Sequence, residues 1–464
     1  MKSFVLRASL MAASLIAAWG LVCLERTALG DDKSSPLYAG TAKVDITPEA
    51  DTAVDMLGRR LSPRDRLFAR VLVLKNDDVS LAIVSVDLIV FASPKVISDA
   101  KAKWGIRHVI LSATHTHAGT VPRGLIINPP MSSDWTRSNR APADSIDWPG
   151  LSADPWYAAT EAKIVAAIGA ATQNLFAARI VAGKGPFESA YMAHNRRLVR
   201  PGAPVVALWE NPDRRPTKPV DPTVGVIRVE DLTGKPRALA VQYACHPVTT
   251  MGSGVVSRDF PGAMVDYVEQ ELGPDCLAMY LQGAQGDLDP YDLHNLRGEN
   301  RFNIVRRAGI SLGQGALRVA ADLKVRPGAG APDASKATLQ VKESLLTIPN
   351  RTGNRTTEVG LLTIVIDRTL ALVALPGEPF IQHQLDLSAK SPVANTFILG
   401  LAYCGQGSPF VVYIPTAQAV KEGGYGATEC SFLAADAGAK LVDEALAQIR
   451  DLQARRKTTR VAPR

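Results

Sequence analysis

The chain is a succession of short apolar runs and longer amphipathic stretches, and their periods predict its elements. Apolar, β-branched runs at 41–46, 108–111, 278–281, 339–348 and 396–401 read as strands. Runs at 66–75 and 79–90, parted only by Asn76-Asp77-Asp78, read as a hairpin. So do 223–230 with 238–244 across Gly234-Lys235-Pro236, and 360–366 with 370–375 across Asp367-Arg368. Short strands are expected at 181–186 and 205–210, around 191–197. Helical spacing of apolar positions marks helices at 93–104, 155–177, 260–271, 300–323 and 432–452, and another starting at Glu378. Residues 121–154 are rich in Pro, Ser, Asp and Trp and carry no period; connections of that length are usually functional. There is no internal repeat and no domain linker. The expected fold class is α/β, with mixed β-sheets flanked by helices in a single large domain.

The amino terminus breaks the pattern. Lys2 and Arg7 precede an apolar stretch at 9–22, and Ala28-Leu29-Gly30 makes a small-x-small site before Asp31. Residues 1–30 read as a signal peptide, the apolar run being short for a membrane span. The mature chain is therefore expected to be exported, periplasmic or secreted. Gly20-Leu21-Val22 lacks the small residue that would precede a lipidated Cys23. The folded domain spans 31–452, and 453–464 form a basic flexible tail.

Composition narrows the class. With 464 residues, 46% hydrophobic and 21% charged, the chain is enzyme-sized and globular rather than disordered. Its formal charge is +7, of which Lys2, Arg7, Arg26 and Glu25 carry a net +2 in the leader. Much of the remainder lies in the tail, Arg455-Arg456-Lys457 through Arg464. No basic stripe is interleaved with aromatics, which excludes a nucleic-acid partner. The tail allows a weak contact with an anionic membrane surface. Export permits disulfides, and Cys245, Cys276, Cys404 and Cys430 leave three pairings open. With no CxxC spacing, a thiolate zinc site is not expected. Cys245 faces away from its neighbour His246 on a strand and reads as a buried hydrophobe.

Candidate chemistry gathers at strand ends. His115 and His117, two residues apart on an extended chain, would present both imidazoles to one face. Such a pair suits a divalent metal such as zinc, and equally a solvated strand end. His246 ends a second strand. Glu378 follows a third, at a helix start where the helix dipole alone would favour a carboxylate.

Thr114-His115-Thr116-His117-Ala118-Gly119, Cys245-His246-Pro247, Leu375-Pro376-Gly377-Glu378 and Tyr413-Ile414-Pro415-Thr416 together resemble the neutral (non-lysosomal, alkaline) ceramidase family. Ala42-Lys43-Val44-Asp45-Ile46-Thr47-Pro48 resembles its opening strand, and the resemblance spans 37–452. It implies a zinc amidase of the sphingolipid-hydrolase kind, cleaving a ceramide-like or related N-acyl amide by metal-activated water. It implies His115, His246, Glu378 and Tyr413 as Zn2+ ligands and His117 as a proton shuttle. It also implies Arg196, in Asn195-Arg196, facing the site, and Tyr425 donating to the developing oxyanion. The partner implied is a small-molecule or lipid-like amide; the oligomeric state stays open.

Three departures stand out. Gly286-Asp287-Leu288-Asp289-Pro290 places Asp289 where the family carries a serine. An aspartate is no alkoxide nucleophile, but it can accept a proton, orient water, or bind an ammonium or hydroxyl group; an ordinary acidic turn is the plainer reading. Gly405-Gln406-Gly407-Ser408-Pro409-Phe410 stands where the family has Asn-Asp, and no carboxy-terminal immunoglobulin-like domain is expected. The competing expectation is a non-catalytic exported metal- or ligand-binding protein on this scaffold. It draws on the missing serine, and the retained ligand set opposes it. Other hydrolases fit worse. There is no Gly-x-Ser-x-Gly for a serine hydrolase. At least three strands precede the histidine pair, unlike an amidohydrolase barrel. Ala118-Gly119 stands where a metallo-β-lactamase needs Asp-His.

Overall fold

The computed structural model describes residues 35–125, 146–187, 192–292, 299–323 and 336–454. The leader at 1–30, positions 126–145 of the aperiodic stretch and tail residues 455–464 lie outside the described residues.

The central strands bury both faces, which is why they read as nearly continuous apolar runs. In Phe68–Lys75, Ala69, Val71 and Val73 enter one core layer while Leu72 and Leu74 enter the opposite one. In Leu370–Ala374, Leu370, Leu372 and Ala374 likewise face one layer and Ala371 and Val373 another. Strands buried on both sides need a cover on each. Two sheets meet at a shared core layer, where Leu72, Ile83, Ile227 and Leu281 of one face Leu362, Ile364, Leu372 and Phe397 of the other. Helices cover the outer faces. Each such side chain contributes about 1.5–3 kcal/mol on full burial.

The large sheet has nine strands. Across it run Leu277–Gln282, Pro236–Tyr243, Thr223–Asp231, Phe176–Pro186, Tyr38–Asp45, Phe68–Lys75, Ser80–Val86, His108–Ala113 and Ala402–Tyr403. Two neighbouring pairs are parallel, Ser80–Val86 with His108–Ala113 and Pro236–Tyr243 with Leu277–Gln282. The second sheet has four strands, Leu339–Pro349, Thr356–Ile366, Leu370–Ala374 and Asn395–Leu399, the last two parallel. Pro94–Trp104 and Pro155–Gln173 cover one part of the large sheet, and Asp259–Leu272 and Arg301–Asp322 another. Ile381–Lys390 and Ala437–Ala454 cover the small one. The α/β class, the mixed sheets and the single domain agree with expectation.

Some boundaries differ. The alanine-rich helix expected to 177 ends at Gln173. Phe176–Pro186 is instead a full strand, because Thr223–Asp231 pairs with it along its length and that pairing overrides local propensity. The strand expected at 205–210 shrinks to Val206–Ala207, and the last helix begins at Ala437. Cys245, Cys276, Cys404 and Cys430 are all free thiols, and Cys245 is fully buried. No helix among the described residues is long and apolar enough to cross a membrane.

Candidate metal centre and active site

The candidate residues collect at the carboxyl ends of parallel strands, the edge where open α/β sheets generally bind ligands. His115 follows His108–Ala113, His246 follows Pro236–Tyr243, Asp287 and Asp289 follow Leu277–Gln282, and Glu378 follows Leu370–Ala374.

The two histidines of the His-x-His stretch do not share a strand face. The strand stops at Ala113, and His115 takes a left-handed backbone with φ 70°. Neighbouring loops impose this. His115 N donates to Leu88 O at 2.9 Å, and its Nδ1 lies 2.6 Å from Ile89 O. His117 N donates to Pro247 O at 3.2 Å. The turn brings the two Nε2 atoms to 3.2 Å. Left-handed backbone in a non-glycine residue costs on the order of 1–3 kcal/mol and is found where the surroundings hold it, often at functional sites.

His246 is seated in the same way. Its backbone N donates to Leu288 O at 3.0 Å and its Nδ1 lies 2.9 Å from that oxygen. Gln282, fully buried, ties the two histidine loops by donating to Cys245 O at 3.0 Å and Thr114 O at 3.4 Å. Glu378 is not at a helix terminus. It sits in the two-residue strand Glu378–Pro379, in register with Tyr413, and the helix starts only at Ile381. Its N donates to Val412 O at 2.7 Å, and Val412 is itself left-handed at φ 55°, a rare state for a β-branched residue. The carboxylate is thereby aimed at the imidazoles: Oε2 stands 3.0 Å from His246 Nε2 and 3.4 Å from His115 Nε2. One ligand atom from each of His115, His117 and His246 lies within 4.8 Å of the others.

This donor set fits a cation. Both Nδ1 atoms are directed at backbone carbonyls, which leaves the Nε2 atoms of His115 and His246 facing inward. Carbonyl-anchored imidazoles of this kind are the usual outer support of a histidine-bound metal. Burial pushes the His246 imidazole below its usual range, against the pull of Glu378. Burial and the two neighbouring imidazoles push His117 well below. Burial works to raise the Glu378 carboxyl, but the facing imidazoles hold it well below the usual carboxylate range. Two imidazole Nε2 atoms and a carboxylate therefore converge.

Beside this cluster stands a wall built on Arg196. It is neither a surface residue nor in a surface ion pair: it is buried, and its Nη1 donates to Asp289 Oδ1 at 2.9 Å. Asp289 is correspondingly not in an acidic turn. It lies buried in the short strand Leu288–Pro290, paired with Ala193–Asn195, and its Oδ1 is 3.5 Å from His246 Nδ1. The guanidinium sits 5.3 Å from the Tyr413 ring and 5.0 Å from that of Tyr425. Burial pushes the Tyr413 phenol well above its usual range and Tyr425 up to about 12, so Tyr425 is a hydroxyl donor at neutral pH.

All eight sequence-predicted site residues thus come together. The sequence reading missed three others. Gln282 ties the histidine loops. Trp209, half-exposed, packs edge-on against Tyr425 at 4.8 Å. Asp287, buried, accepts from Asn195 Nδ2 at 2.7 Å and Ile381 N at 2.8 Å, so it joins the Arg196 segment to the helix after Glu378. Polar residues at the end of a buried strand were the available signal for Gln282 and Asp287; Trp209 carried none.

No protein-family model matches the chain, and no curated protein matches it in sequence. Solved structures do share its fold. A crystal structure of neutral ceramidase from Pseudomonas aeruginosa superposes with a TM-score of 0.65 at 17% identity, covering 90% of this chain and 75% of that one. A ceramidase complexed with C2 gives a TM-score of 0.65 at 17% identity, over 91% and 76% of the two chains. At that identity the likeness establishes a ceramidase-like fold.

Proposed function

We propose that this chain is an exported, zinc-dependent hydrolase that cleaves an N-acyl amide, ceramide-like or related, into a carboxylate and an amine. The observation that carries this reading is the convergence of His115 Nε2, His246 Nε2 and the Glu378 carboxylate, with both histidine Nδ1 atoms committed to backbone carbonyls. The ceramidase fold of the two structural relatives supports the choice of an amide.

His115, His246 and Glu378 would hold the metal, with Tyr413 beside Glu378 completing the set. When bound, zinc supplies Lewis acidity that acidifies water and polarises a carbonyl. His117, its imidazole kept neutral, takes a proton at Nε2 from the attacking water and returns it to the leaving nitrogen. The Tyr425 hydroxyl donates to the oxygen of the amide as charge develops there. Arg196 and Asp289 form the adjoining wall.

A second ligand set, His115 with His117 and His246, is favoured by the closeness of their nitrogens. His117→Ala separates the two. If His117 carries protons, the variant keeps its zinc and loses turnover; if it is a ligand, the zinc goes as well. The test of the function is hydrolysis of a panel of N-acyl amides and esters by the purified protein, abolished by a chelator and restored by zinc. No turnover across the panel would leave the non-catalytic binding protein as the better reading.

A further inference from the structure

We propose that Asp289 sets the charge preference of this site: by occupying Arg196 it makes the pocket accept amides that are uncharged beside the scissile bond and release carboxylates. The inference rests on the amidase reading above.

Arg196 is 3% exposed and lies among the rings of Trp209, Tyr413 and Tyr425, at 5.4, 5.3 and 5.0 Å. A guanidinium so far from water needs anionic or carbonyl acceptors. Here Nη1 donates to Asp289 Oδ1 at 2.9 Å and Nη2 to Gly286 O at 2.6 Å. Both terminal nitrogens make a bond and the Asp289 carboxylate neutralises the guanidinium charge, while the buried Nε has no partner. No other carboxylate nearby is free to replace Asp289. Glu378 faces the imidazoles, Asp287 is held by Asn195 and Ile381, and Glu422 is held by Arg197. With the Asp289 charge removed, the Tyr413 side chain remains a neutral hydrogen-bond partner of Arg196, and the anionic partner left for it is one brought by a ligand.

The consequence touches the reaction directly, because amide hydrolysis produces a carboxylate. A free Arg196 beside the metal ligands would hold that product. The neutral Arg196–Asp289 pair does not, and it gives a substrate carboxylate no advantage. Uncovering one unit charge roughly 8 Å from a ligand charge, at an effective dielectric of about 20, changes affinity by a factor of roughly 30.

The test is calorimetric titration of the purified full chain, at matched metal content, with hexanoate and its neutral isostere hexanamide. Asp289→Asn is expected to bind hexanoate about tenfold or more tightly than the wild type, and hexanamide within about twofold. Unchanged or weaker hexanoate binding in the variant overturns the proposal. Asp289→Ser gives the same comparison should the asparagine variant misfold. In the wild type, kcat/KM for N-hexanoylethanolamine is expected to exceed that for N-hexanoylglycine by about tenfold or more, and an equal or reversed ratio also overturns it. Hydrolysis of neither amide would defeat the amidase reading alone, because the titration needs no turnover.

Discussion

Gly286 offers the sharpest perturbation of the site that leaves every candidate ligand in place. Its backbone is wedged between Arg196, whose Nη2 donates to Gly286 O at 2.6 Å, and the Glu378 strand, to which Gly286 N donates at Pro379 O over 2.9 Å. A Cβ at this position would stand 2.4 Å from Glu378 O, 2.9 Å from Pro379 O and 3.0 Å from Phe380 Cδ1. Restoring ordinary carbon–oxygen contact requires the two segments to part by about 1 Å. The atom displaced belongs to the residue whose carboxylate stands 3.0 Å from His246 Nε2. Overpacking of this kind costs about 1–3 kcal/mol, and a shift of about 1 Å in a functional group costs on the order of 100-fold in rate. Gly286→Ala is therefore expected to lower stability by about 1–3 kcal/mol in urea denaturation, with an unchanged m value. Zinc affinity, read by competition with a chromogenic chelator, should fall by about 10–100-fold. Gly105→Ala is the control. It caps a helix at φ 68° with nothing within 4 Å of its Cβ position, so it should lose about 1 kcal/mol and no zinc affinity. Wild-type zinc affinity in Gly286→Ala would refute the placement of Glu378 in the site.

Other expectations follow from single groups. Asp287→Ala removes one of two acceptors of the Asn195 amide, which keeps Pro219 O, and strands the Ile381 N–H, and should cost about 1–3 kcal/mol in chemical denaturation. Tyr425→Phe removes a hydroxyl donor and should lower kcat by about 100-fold or more at unchanged zinc content. Away from the metal cluster, burial lowers the His383 imidazole from 6.5, so the unfolded chain binds the extra proton. Its contribution to stability is full above pH 6.5 and is lost as pH falls below it, a slope that His383→Gln should reduce in urea midpoints measured across that range. The free cysteines predict that a reductant leaves the thermal midpoint unchanged.

The parts of the fold that the sequence made legible are those governed by local pattern. Strands buried on two faces announce themselves as apolar runs, and hairpins such as 66–75 with 79–90 carry their own polar break. The candidate residues were legible too, because the chain keeps chemistry where strands end. What pattern could not supply was orientation set by distant partners. The His115 turn is imposed by carbonyls of residues 88 and 89, and the Glu378 strand exists only through its pairing with Tyr413. Two residues of strand have no period to detect. The burial of Arg196 and Asp289 likewise depends on a two-stranded pairing between segments about ninety residues apart. The alanine-rich run was overextended as helix because strand pairing at Phe176 outweighs propensity there.

The measurement that bears most directly on the metal reading is the zinc content of the purified chain, by plasma emission, beside His115→Ala, His246→Ala and Glu378→Gln. About one zinc per chain is expected in the wild type, with near-complete loss in both histidine variants and weakened retention in Glu378→Gln. A wild-type chain that takes up no zinc, or a His115→Ala chain that keeps it at wild-type affinity, would contradict the assignment.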